Sequence, residues 1–436
     1  MDPILGGTLL IVAMLVVAAI GLPVGLSMAA VGFVGMCLLA GVPFALGTFM
    51  TLPYSIASQY AFVVVPMFVL MGAFASTSGM TSEMYTAAYR LFSGVRGSLY
   101  YTTVLASAAF GAVSGSTVVA GAVFTRIAFP EMVRFGYKRS LSAGCIAAAG
   151  TFAALIPPSI SMVIYGILTG ESIGALLMAG LIPGLVTVVA YMIGIRMILW
   201  WRPEWAPAVE RRYSPREILS SLRGLWAVCL LVVIVMGGIY AGVMPPSAAG
   251  TAGALGALMI CLMRRKMGGK EFWGALSQTV SVTTTLFLII IGGLLFSRLL
   301  LYVGFIDGIT AFIDDSQLSP VLFILFIVVV YLILGCFVDT VTMMVMTVPF
   351  FYPSLAPLGL DPIWFGVIVI KLVEISAITP PVGLNLFAVM GAAEKQISAK
   401  DMYSGVLPFI VIELVVLAVL LFFPVLSLWL PNMMVK

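Results

Sequence analysis

The 436-residue chain is 62% hydrophobic and only 9% charged, with a formal net charge of +4. This composition excludes a water-soluble domain and indicates a bundle of membrane helices. The absence of histidine removes the commonest proton shuttle and metal ligand, which argues against zinc or acid–base chemistry.

The first elements to be predicted are membrane spans, each of which needs about 20 apolar residues. Ten spans are predicted from the positions of Gly, Pro and charged residues, at residues 4–20, 24–40, 62–76, 139–170, 174–200, 225–243, 247–263, 275–300, 362–391 and 405–430. The N-terminal Met1-Asp-Pro lacks the basic start and cleavage site of a removable signal peptide, so the first span is expected to be retained. The predicted fold class is an all-α polytopic membrane protein.

Two further apolar stretches, 97–136 and 320–352, carry small and polar residues near their middles. The first contains Gly111-Ala-Val-Ser-Gly-Ser-Thr117 and the second contains Gly335-Cys-Phe-Val-Asp-Thr340. Backbone that is not helical survives inside a membrane only where it lines a cavity or binds a ligand. Each stretch is therefore predicted to be a re-entrant helical hairpin that enters and leaves on one side. A pair of ordinary spans is the alternative.

The hairpin motifs recur with a constant spacing along the chain. The number of residues from Thr117 to Pro157 equals the number from Thr340 to Pro380. The threonine and the proline of the first motif therefore recur in the second half at one common offset along the chain. Two more proline pairs, Pro23 with Pro245 and Pro183 with Pro408, show nearly the same displacement. This agreement indicates an internal duplication, with two halves of one design.

The basic residues predict the orientation of the chain, because Lys and Arg near span ends collect on the cytoplasmic side. With the N-terminus outside, all of the 21 basic residues except Arg298, Lys371 and Lys436 fall in cytoplasmic segments. Each half then holds five spans and one re-entrant hairpin, and since five is odd, the second half enters from the opposite side. The prediction is an inverted repeat whose hairpin tips meet at mid-membrane.

The proline pairs Pro157-Pro158 and Pro380-Pro381 are predicted to break two membrane helices. A break leaves carbonyls unpaired at the end of one half-helix, where a sodium ion fits, and amides unpaired at the start of the next, where an anion fits. The predicted substrate-binding residues are Ser114, Gly115, Ser116, Thr117, Ser159, Asp339, Thr340 and Asn385. The predicted sodium ligands are Ser114, Ser116, Pro157, Gly335, Asp339, Thr340, Thr379, Pro380 and Gly383. In the alternative interpretation, the prolines are simple kinks and the hydroxyls bond back to their own helices.

Ionisable residues at membrane depth cost roughly 2.5–3.5 kcal/mol each on insertion scales, so those present need a reason. Asp339 at a hairpin tip is the best candidate for a functional charge, whereas Lys371 and Glu374 lie on one helical face and are predicted to pair. Hydroxyl and carbonyl oxygens without histidine favour sodium over a proton as the driving ion.

Neither a disulfide nor a metal site is predicted for the five cysteines, Cys37, Cys145, Cys229, Cys261 and Cys336.

Two other classes of function lack their sequence requirements. An intramembrane hydrolase would need a Ser–His, Asp–Asp or His–Glu constellation, and a primary pump would need a nucleotide site of the GxxxxGK[ST] type. With no histidine and one plausible hairpin aspartate, the sequence gives the hydrolase little support, and it contains no GxxxxGK[ST] motif. The chain is therefore predicted not to be an enzyme, with no cofactor other than sodium as coupling ions and no nucleic-acid partner.

Four motifs resemble the large membrane subunit of tripartite ATP-independent periplasmic (TRAP) transporters. They are Phe110-Gly-Ala-Val-Ser-Gly-Ser-Thr117, Ile156-Pro-Pro-Ser-Ile160 with Tyr165-Gly166, Ala179-Gly-Leu-Ile-Pro-Gly184, and Glu374-Ile-Ser-Ala-Ile-Thr-Pro-Pro-Val-Gly-Leu-Asn-Leu-Phe387. The resemblance covers essentially the whole chain. It implies an elevator-type, sodium-coupled importer of small organic acids in the bacterial inner membrane. Its implied partners are a four-helix small membrane subunit and a periplasmic substrate-binding protein.

Some positions depart from the pattern of that family. Met244-Pro-Pro-Ser-Ala248 stands where a Thr-Pro-Thr-Glu-Ala stretch is common, and Ser376 stands in place of a glycine. The alternative within transport is a stand-alone dicarboxylate/sodium symporter that has paired hairpins and needs no binding protein.

The inverted repeat predicts a static scaffold and a mobile transport domain. Residues 1–90 and 225–318 are assigned to the scaffold. The transport domain is assigned residues 97–200, which include hairpin 97–136, and residues 320–436, which include hairpin 320–352. Residues 201–224 are predicted to form a cytoplasmic interfacial linker between the halves.

Overall fold

The structure is a computed structural model that describes residues 2–207, 212–315, 319–335, 338–394 and 396–434. Cys336 in the second hairpin motif lies outside the described residues. Within the described ranges the chain is built from helices and turns, and no strand is present there. The prediction of an all-α protein is confirmed.

The helices are numbered in chain order through the two halves. The first half contains α1 (Pro3–Ala19), α2 (Val24–Leu39), α3 (Val42–Ala57), α4 (Val64–Thr77), α5 (Met80–Phe92), α6 (Ser98–Ser114), α7 (Thr117–Arg134), α8 (Arg139–Gly150), α9 (Phe152–Leu155), α10 (Ile160–Thr169) and α11 (Ile173–Trp201). The second contains α12 (Pro215–Leu222), α13 (Trp226–Val232), α14 (Gly238–Tyr240), α15 (Pro246–Met263), α16 (Gly269–Tyr302), α17 (Phe305–Asp315), α18 (Pro320–Leu334), α19 (Thr340–Phe351), α20 (Pro362–Ala377), α21 (Leu384–Ala392), α22 (Ala399–Phe422) and α23 (Val425–Asn432).

Six helical segments in the described ranges are long and apolar enough to cross a membrane. They are Tyr60–Thr77, Ile173–Trp201, Pro215–Tyr240, Pro246–Met263, Gly269–Tyr302 and Ala399–Phe422. The bent pair Arg139–Leu155 and Ile160–Thr169 makes a seventh, and α1, α2, α3 and α18 are shorter apolar helices. The chain is therefore a multi-pass membrane protein. Neither α6 nor α7 of the first hairpin qualifies as a full span.

Several helices differ from the predicted elements. Three were not predicted at all, α3, α5 and α17, because they are short or carry polar residues along one face. Residues 405–430 were predicted as one span, but α22 already begins at Ala399 and the helix is interrupted at Phe423 and Pro424 before α23. Residues 362–391 form two helices, α20 and α21, with Pro380 and Pro381 between them, so the predicted break at the second proline pair is confirmed.

Glycines permit the closest helix crossings. A Cβ placed on Gly144 of α8 would overlap the backbone at Gly405 of α22, and a Cβ on Gly292 of α16 would overlap the backbone at Gly25 of α2. Helices in membranes gain little from hydrophobic association and depend on close van der Waals packing, which small residues allow. These two crossings join helices far apart in the sequence.

Candidate substrate and ion site

The first broken helix is interrupted at Pro157 and Pro158, where its two halves are bent by 42° and the peptide bond between the prolines is cis. The hydroxyl of Ser159 caps the following half-helix, accepting from the Met162 amide at 3.2 Å and donating to the carbonyl of Ala154. The Ser159 side chain is fully buried. Its hydrogen-bonding capacity is thus used within the break.

The second broken helix has the same arrangement at Pro380 and Pro381, whose peptide bond is also cis. The hydroxyl of Thr379 donates to the carbonyl of Ile375 at 2.6 Å, so its proton is directed at its own helix. Gly383 has a φ of +53° and leads directly into α21. The left-handed backbone at this position favours glycine.

The tip of the first hairpin rests on the first break. Gly115 has a φ of +62°, and a Cβ on this residue would lie 2.7 Å from the carbonyl oxygen of Pro158. The hydroxyl of Ser114 is buried and has no hydrogen-bond partner among the described residues. Ser116 precedes α7 in extended backbone, and its side chain does not cap that helix. The tip therefore presents two hydroxyls that do not stabilise a helix end.

The tip of the second hairpin is organised by Asp339. Its carboxylate accepts from the amides of Val341 and Thr342 at 3.1 Å each, and from the hydroxyl of Thr342. This is a helix N-cap, which accounts structurally for an acidic residue at this depth. At the other end of the tip, a Cβ on Gly335 would overlap the side chain of Ser376. The second tip is thus packed against α20 just before the second break.

Both tips open into one cavity of about 470 Å³. Its walls are formed by Gly115, Ser116, Thr117, Val118, Val119, Ile160, Ser161, Ser281, Val282, Thr285, Leu286, Ile289, Asp339, Thr340, Val341 and Leu384. Five of the predicted site residues line it together, namely Gly115, Ser116, Thr117, Asp339 and Thr340. Their convergence from two halves of the chain makes this cavity the candidate site.

The other predicted site residues lie outside this lining. Ser114 faces a smaller space of about 20 Å³ that Ser116 also lines, behind the first tip. Six residues of the breaks and tip ends are not among those that line the cavity, and these are Pro157, Ser159, Gly335, Thr379, Pro380 and Gly383.

Asn385 ties the second broken helix to the first half of the chain. It is fully buried and donates to the carbonyl of Ala147 of α8 at 2.8 Å. Its Oδ1 has no hydrogen-bond partner within the part of the chain that the structure describes. The residue lies against Gly121 of α7 and Gly150 of α8, so the structure gives it a packing position behind the site.

Four helices begin at the cavity wall. Thr117, Ile160, Thr340 and Leu384 are the first residues of α7, α10, α19 and α21, and each lines the cavity. The amides in the first turn of a helix lack partners within it and carry a partial positive charge, which favours an anion. Asp339 and Ser159 already cap α19 and α10, whereas α7 and α21 have no side-chain cap. Among the described residues, no lysine or arginine lines the cavity, and Asp339 is the one formal charge there. Partial positive charge not already used by a side-chain cap is therefore offered at the starts of α7 and α21.

Helix α16 supplies the opposite wall, which was not predicted from the sequence. Ser281, Thr285 and Ile289 follow one another at single-turn intervals and line the cavity from one face of this helix. Thr285 donates to the carbonyl of Ser281 at 2.9 Å. The available signal was the cluster of Ser, Thr and Gln between positions 277 and 285 in an otherwise apolar span. This segment contains no proline or glycine that would interrupt the helix, so it was interpreted as part of an ordinary span.

The predicted pair of Lys371 and Glu374 is confirmed, with Nζ 3.0 Å from Oε2. Glu413 of α22 also bonds this lysine. This third member was not predicted, because it lies on another helix and far from Glu374 in the sequence. None of the three lines the cavity. They are buried instead between α11, α20 and α22.

Comparison with known proteins identifies the family of the chain. Residues 11–426 match the family model described as the DctM component of tripartite ATP-independent periplasmic transporters. The chain belongs to this family. A C4-dicarboxylate TRAP transporter large permease protein of Pseudomonas aeruginosa is 36% identical over 381 residues, which cover 87% of this chain and 88% of the relative. The resemblance found in the sequence is confirmed.

Other relatives of this TRAP subunit have different named substrates. The ectoine/5-hydroxyectoine large permease of Ruegeria pomeroyi is 30% identical over 96% of this chain and 97% of its own length. The sialic acid large permease of Vibrio cholerae is 29% identical over 95% of each chain. These relatives are transporter permease subunits, so the prediction that the chain is not an enzyme is confirmed.

Two solved structures share the fold of the TRAP subunit. The Alcanivorax borkumensis YdaH transporter superposes with a TM-score of 0.63 at 15% identity, covering 90% of this chain and 89% of that one. Neisseria gonorrhoeae MtrF superposes with a TM-score of 0.55 at 14% identity, covering 90% of this chain and 85% of that one. At such low identity the likeness concerns the fold alone.

Proposed function

We propose that this TRAP large permease subunit carries a small organic acid anion across the bacterial inner membrane, driven by sodium. The observation that carries the proposal is the cavity between the two hairpin tips, where four helices begin and where the described residues include no basic side chain. A desolvated carboxylate needs compensation. Helix N-termini, hydroxyls and a bound cation are the groups available to supply it.

The substrate class follows from the cavity and from the relatives. Their names specify C4-dicarboxylates, sialic acid, ectoine and isethionate, each of which carries a carboxylate or sulfonate group. A volume of about 470 Å³ is within the range of small-molecule sites. The proposed cargo is therefore a small organic acid, held by amides at the starts of α7 and α21, which have no side-chain cap, and by the hydroxyls of Ser116, Thr117 and Thr340.

Sodium is proposed as the coupling ion because the site offers oxygen ligands and no histidine. Asp339 brings a carboxylate to the cavity, and hydroxyl oxygens lie beside it at Thr340 and on the opposite tip at Ser116. Unwound backbone in transporters coordinates sodium with carbonyl oxygens. The remaining proposed ligands surround the tips and breaks where such oxygens are available, and they are Ser114, Pro157, Gly335, Thr379, Pro380 and Gly383.

An internal repeat is supported by helix packing that recurs between the halves, and its proposed inversion follows from the odd number of spans in each half. Shifting the first half along the chain until Pro157 falls on Pro380 maps α2 onto α15 and α4 onto the second part of α16. Helix α2 packs along α16 just as α15 packs along α4. The same shift relates the contact of α8 with α22 to that of α20 with α11, and α7 with α21 to α19 with α10. Equivalent pairs on both sides favour five spans and one hairpin in each half.

We further propose an elevator mechanism, with residues 1–90 and 225–318 as scaffold and residues 97–200 and 320–436 as the moving domain. The cavity supports this division because its tip and break residues belong to the moving part, whereas Ser281 to Ile289 of α16 belong to the scaffold. Movement along α16 would carry the site across the membrane with its ligands. The distribution of basic residues supports an N-terminus on the outside.

The proposed partners are a small membrane subunit and a periplasmic binding protein that delivers the substrate. Exposed apolar side chains on α2 and α3, such as Leu38, Met50 and Tyr54, offer a surface for another membrane helix or for lipid. A stand-alone symporter without a binding protein is the second candidate. The match of residues 11–426 to a family of tripartite transporters favours the arrangement with a small membrane subunit and a binding protein.

Uptake into proteoliposomes tests this function directly. The chain would be reconstituted with its small subunit, and a labelled C4-dicarboxylate supplied with the cognate binding protein under an imposed sodium gradient. Uptake that requires the small subunit, the binding protein and sodium is expected. Uptake without the binding protein would favour the stand-alone symporter, and uptake driven by a pH gradient without sodium would contradict sodium coupling.

A further inference from the structure

A buried charge cluster lies apart from the cavity, where α11, α20 and α22 meet. Lys371 and Glu413 are 0% exposed and Glu374 is 1% exposed. The ammonium of Lys371 contacts the carboxylate of Glu413, lies 3.0 Å from Oε2 of Glu374, and donates to the hydroxyl of Thr187 at 3.0 Å. All three ionisable groups therefore share one dry environment.

The charges of this cluster do not balance when every member is ionised. One ammonium then faces two carboxylates, which leaves a net charge of −1 inside the membrane-embedded core. An uncompensated buried charge is strongly unfavourable, and the usual response is a change of protonation that removes it. Binding one proton makes the cluster neutral.

The two carboxyl groups are not equivalent. Glu413 accepts a hydrogen bond from the hydroxyl of Tyr191 at 2.5 Å in addition to its contact with Lys371. Glu374 accepts from Lys371 through Oε2. Among the described residues neither Oε1 of Glu374 nor Oε2 of Glu413 has a hydrogen-bond partner, but Oε2 of Glu413 lies in an ion pair with Lys371, whereas Oε1 of Glu374 has no such contact. Donors stabilise an ionised carboxylate, whereas an oxygen without a donor disfavours it. The negative charge is therefore better held by Glu413.

We propose that Glu374 is a proton-binding site, occupied at neutral pH, inside the core of the protein. One proton taken from water forms the O–H bond of the Glu374 carboxylic acid, and the cluster becomes an ammonium, a carboxylate and a neutral acid. The ligand is the proton itself. This site is separate from the proposed substrate cavity, since none of its members lines that cavity.

The other titratable groups on the surrounding helices have hydrogen-bond partners of their own, and among them Tyr191 bonds to the cluster itself. Tyr191 of α11 donates to Glu413, and Cys145 of α8 donates to the carbonyl of Tyr100. Tyr165 of α10 donates to the carbonyl of Pro362, and Tyr331 of α18 bonds Thr347. Among the described residues, Lys371 is the only cation bonded to either glutamate of the cluster.

Infrared spectroscopy distinguishes the neutral acid from an ionised carboxylate, because only the acid has a carbonyl stretch above the amide band. The purified protein would be examined near neutral pH, with and without ¹³C at the side-chain carboxyl of its glutamates. An acid band that shifts with the ¹³C label is expected. Absence of such a band, or a band that does not shift, would overturn the proposal without any need for a variant.

Variants then assign the band. Glu374→Gln removes it by replacing the acid with a neutral amide of the same shape. Glu413→Gln also removes it, because Glu374 is then the only counterion left for Lys371 and ionises. Glu83→Gln is the control, since this glutamate lies 2.9 Å from Arg264 with its side chain 41% exposed, and the band is expected to remain. A band that survives in Glu374→Gln would belong to another carboxyl and contradict the assignment.

Discussion

Gly115 at the first hairpin tip lies directly over the carbonyl oxygen of Pro158, so that a Cβ at position 115 would come within 2.7 Å of it. A contact of that length with backbone cannot be relieved by a side-chain rotation. Gly115→Ala is therefore expected to displace the tip from the broken helix and to reduce substrate uptake by an order of magnitude or more. Uptake into proteoliposomes at matched protein levels measures the effect.

Gly136→Ala is the matched control for this change. Gly136 has a φ of +76°, and no atom of the described structure lies within 4 Å of its notional Cβ. Both substitutions carry the same left-handed backbone cost of about 1–2 kcal/mol, so their difference isolates the contact with Pro158. Equal uptake by the two variants would show that the position of the tip does not matter for transport.

Asp339 combines two features that one substitution separates, a helix cap and a charge beside the cavity. Asparagine caps helices about as well as aspartate, so Asp339→Asn is expected to keep the thermal unfolding temperature while removing the negative charge. If the carboxylate binds sodium, the sodium concentration for half-maximal uptake should rise by about tenfold or more, equivalent to about 1.4 kcal/mol. Uptake measured over a range of sodium concentrations gives this half-maximal concentration for both proteins.

The chain offers a close control in Asp361. It caps α20 in the same way, accepting from the amides of Ile363 and Trp364 at 2.9 Å each, but it does not line the cavity. Asp361→Asn is expected to leave the sodium dependence unchanged. An identical shift in both variants would mean that Asp339 acts only as a cap.

Ser114 has a buried hydroxyl without a hydrogen-bond partner in the described ranges of the chain, an arrangement that costs stability unless a ligand uses it. Ser114→Ala is therefore expected to leave the unfolding temperature unchanged or slightly raised, while sodium-dependent uptake falls. Ser142→Ala serves as the control, because that hydroxyl is also buried but donates to the carbonyl of Lys138 at 3.0 Å. Full uptake by Ser114→Ala would remove this residue from the sodium site.

The hairpin tips were more predictable from the sequence than the walls of the site. Glycines, hydroxyls and prolines at a repeated spacing are local signals, and five residues chosen on that basis line one cavity. Ser281 and Thr285 lie in an unbroken helix, where polar residues usually bond to their own backbone. No residue near Ser281 or Thr285 in the sequence indicates that this face of α16 contacts the hairpin tips.

Contacts between residues far apart in the sequence also could not be predicted. Glu413 bonds Lys371 from a different helix, and no periodic pattern connects residues so distant along the chain. Helix α3 was missed for a different reason, since Pro53 lies inside it and a proline usually indicates the end of a helix. Helix existence depends on local composition, whereas contacts between helices depend on packing of the whole bundle.

The elevator proposal makes its sharpest prediction at the contact between α16 and α19. A Cβ on Gly293 of α16 would lie 3.2 Å from the Cβ of Val345 of α19, near the Cβ separation of about 3.5–4.5 Å that disulfides adopt. In a background without native cysteines, Gly293→Cys with Val345→Cys is expected to crosslink readily in this conformation. Because the pair crosses the proposed boundary between scaffold and moving domain, the crosslink should abolish uptake, and reduction should restore it.

The control pair lies within the proposed scaffold. A Cβ on Gly253 of α15 would lie 3.6 Å from Cγ of Met71 of α4, so Gly253→Cys with Met71→Cys joins two helices that are expected to stay together. A short thiol-bridging reagent should link this pair equally with and without sodium and substrate, and uptake should continue. The boundary pair should instead react at a rate that changes with ligand, since ligands shift the population of inward and outward states. Equal, ligand-independent crosslinking of both pairs with uptake retained would contradict movement of α19 along α16.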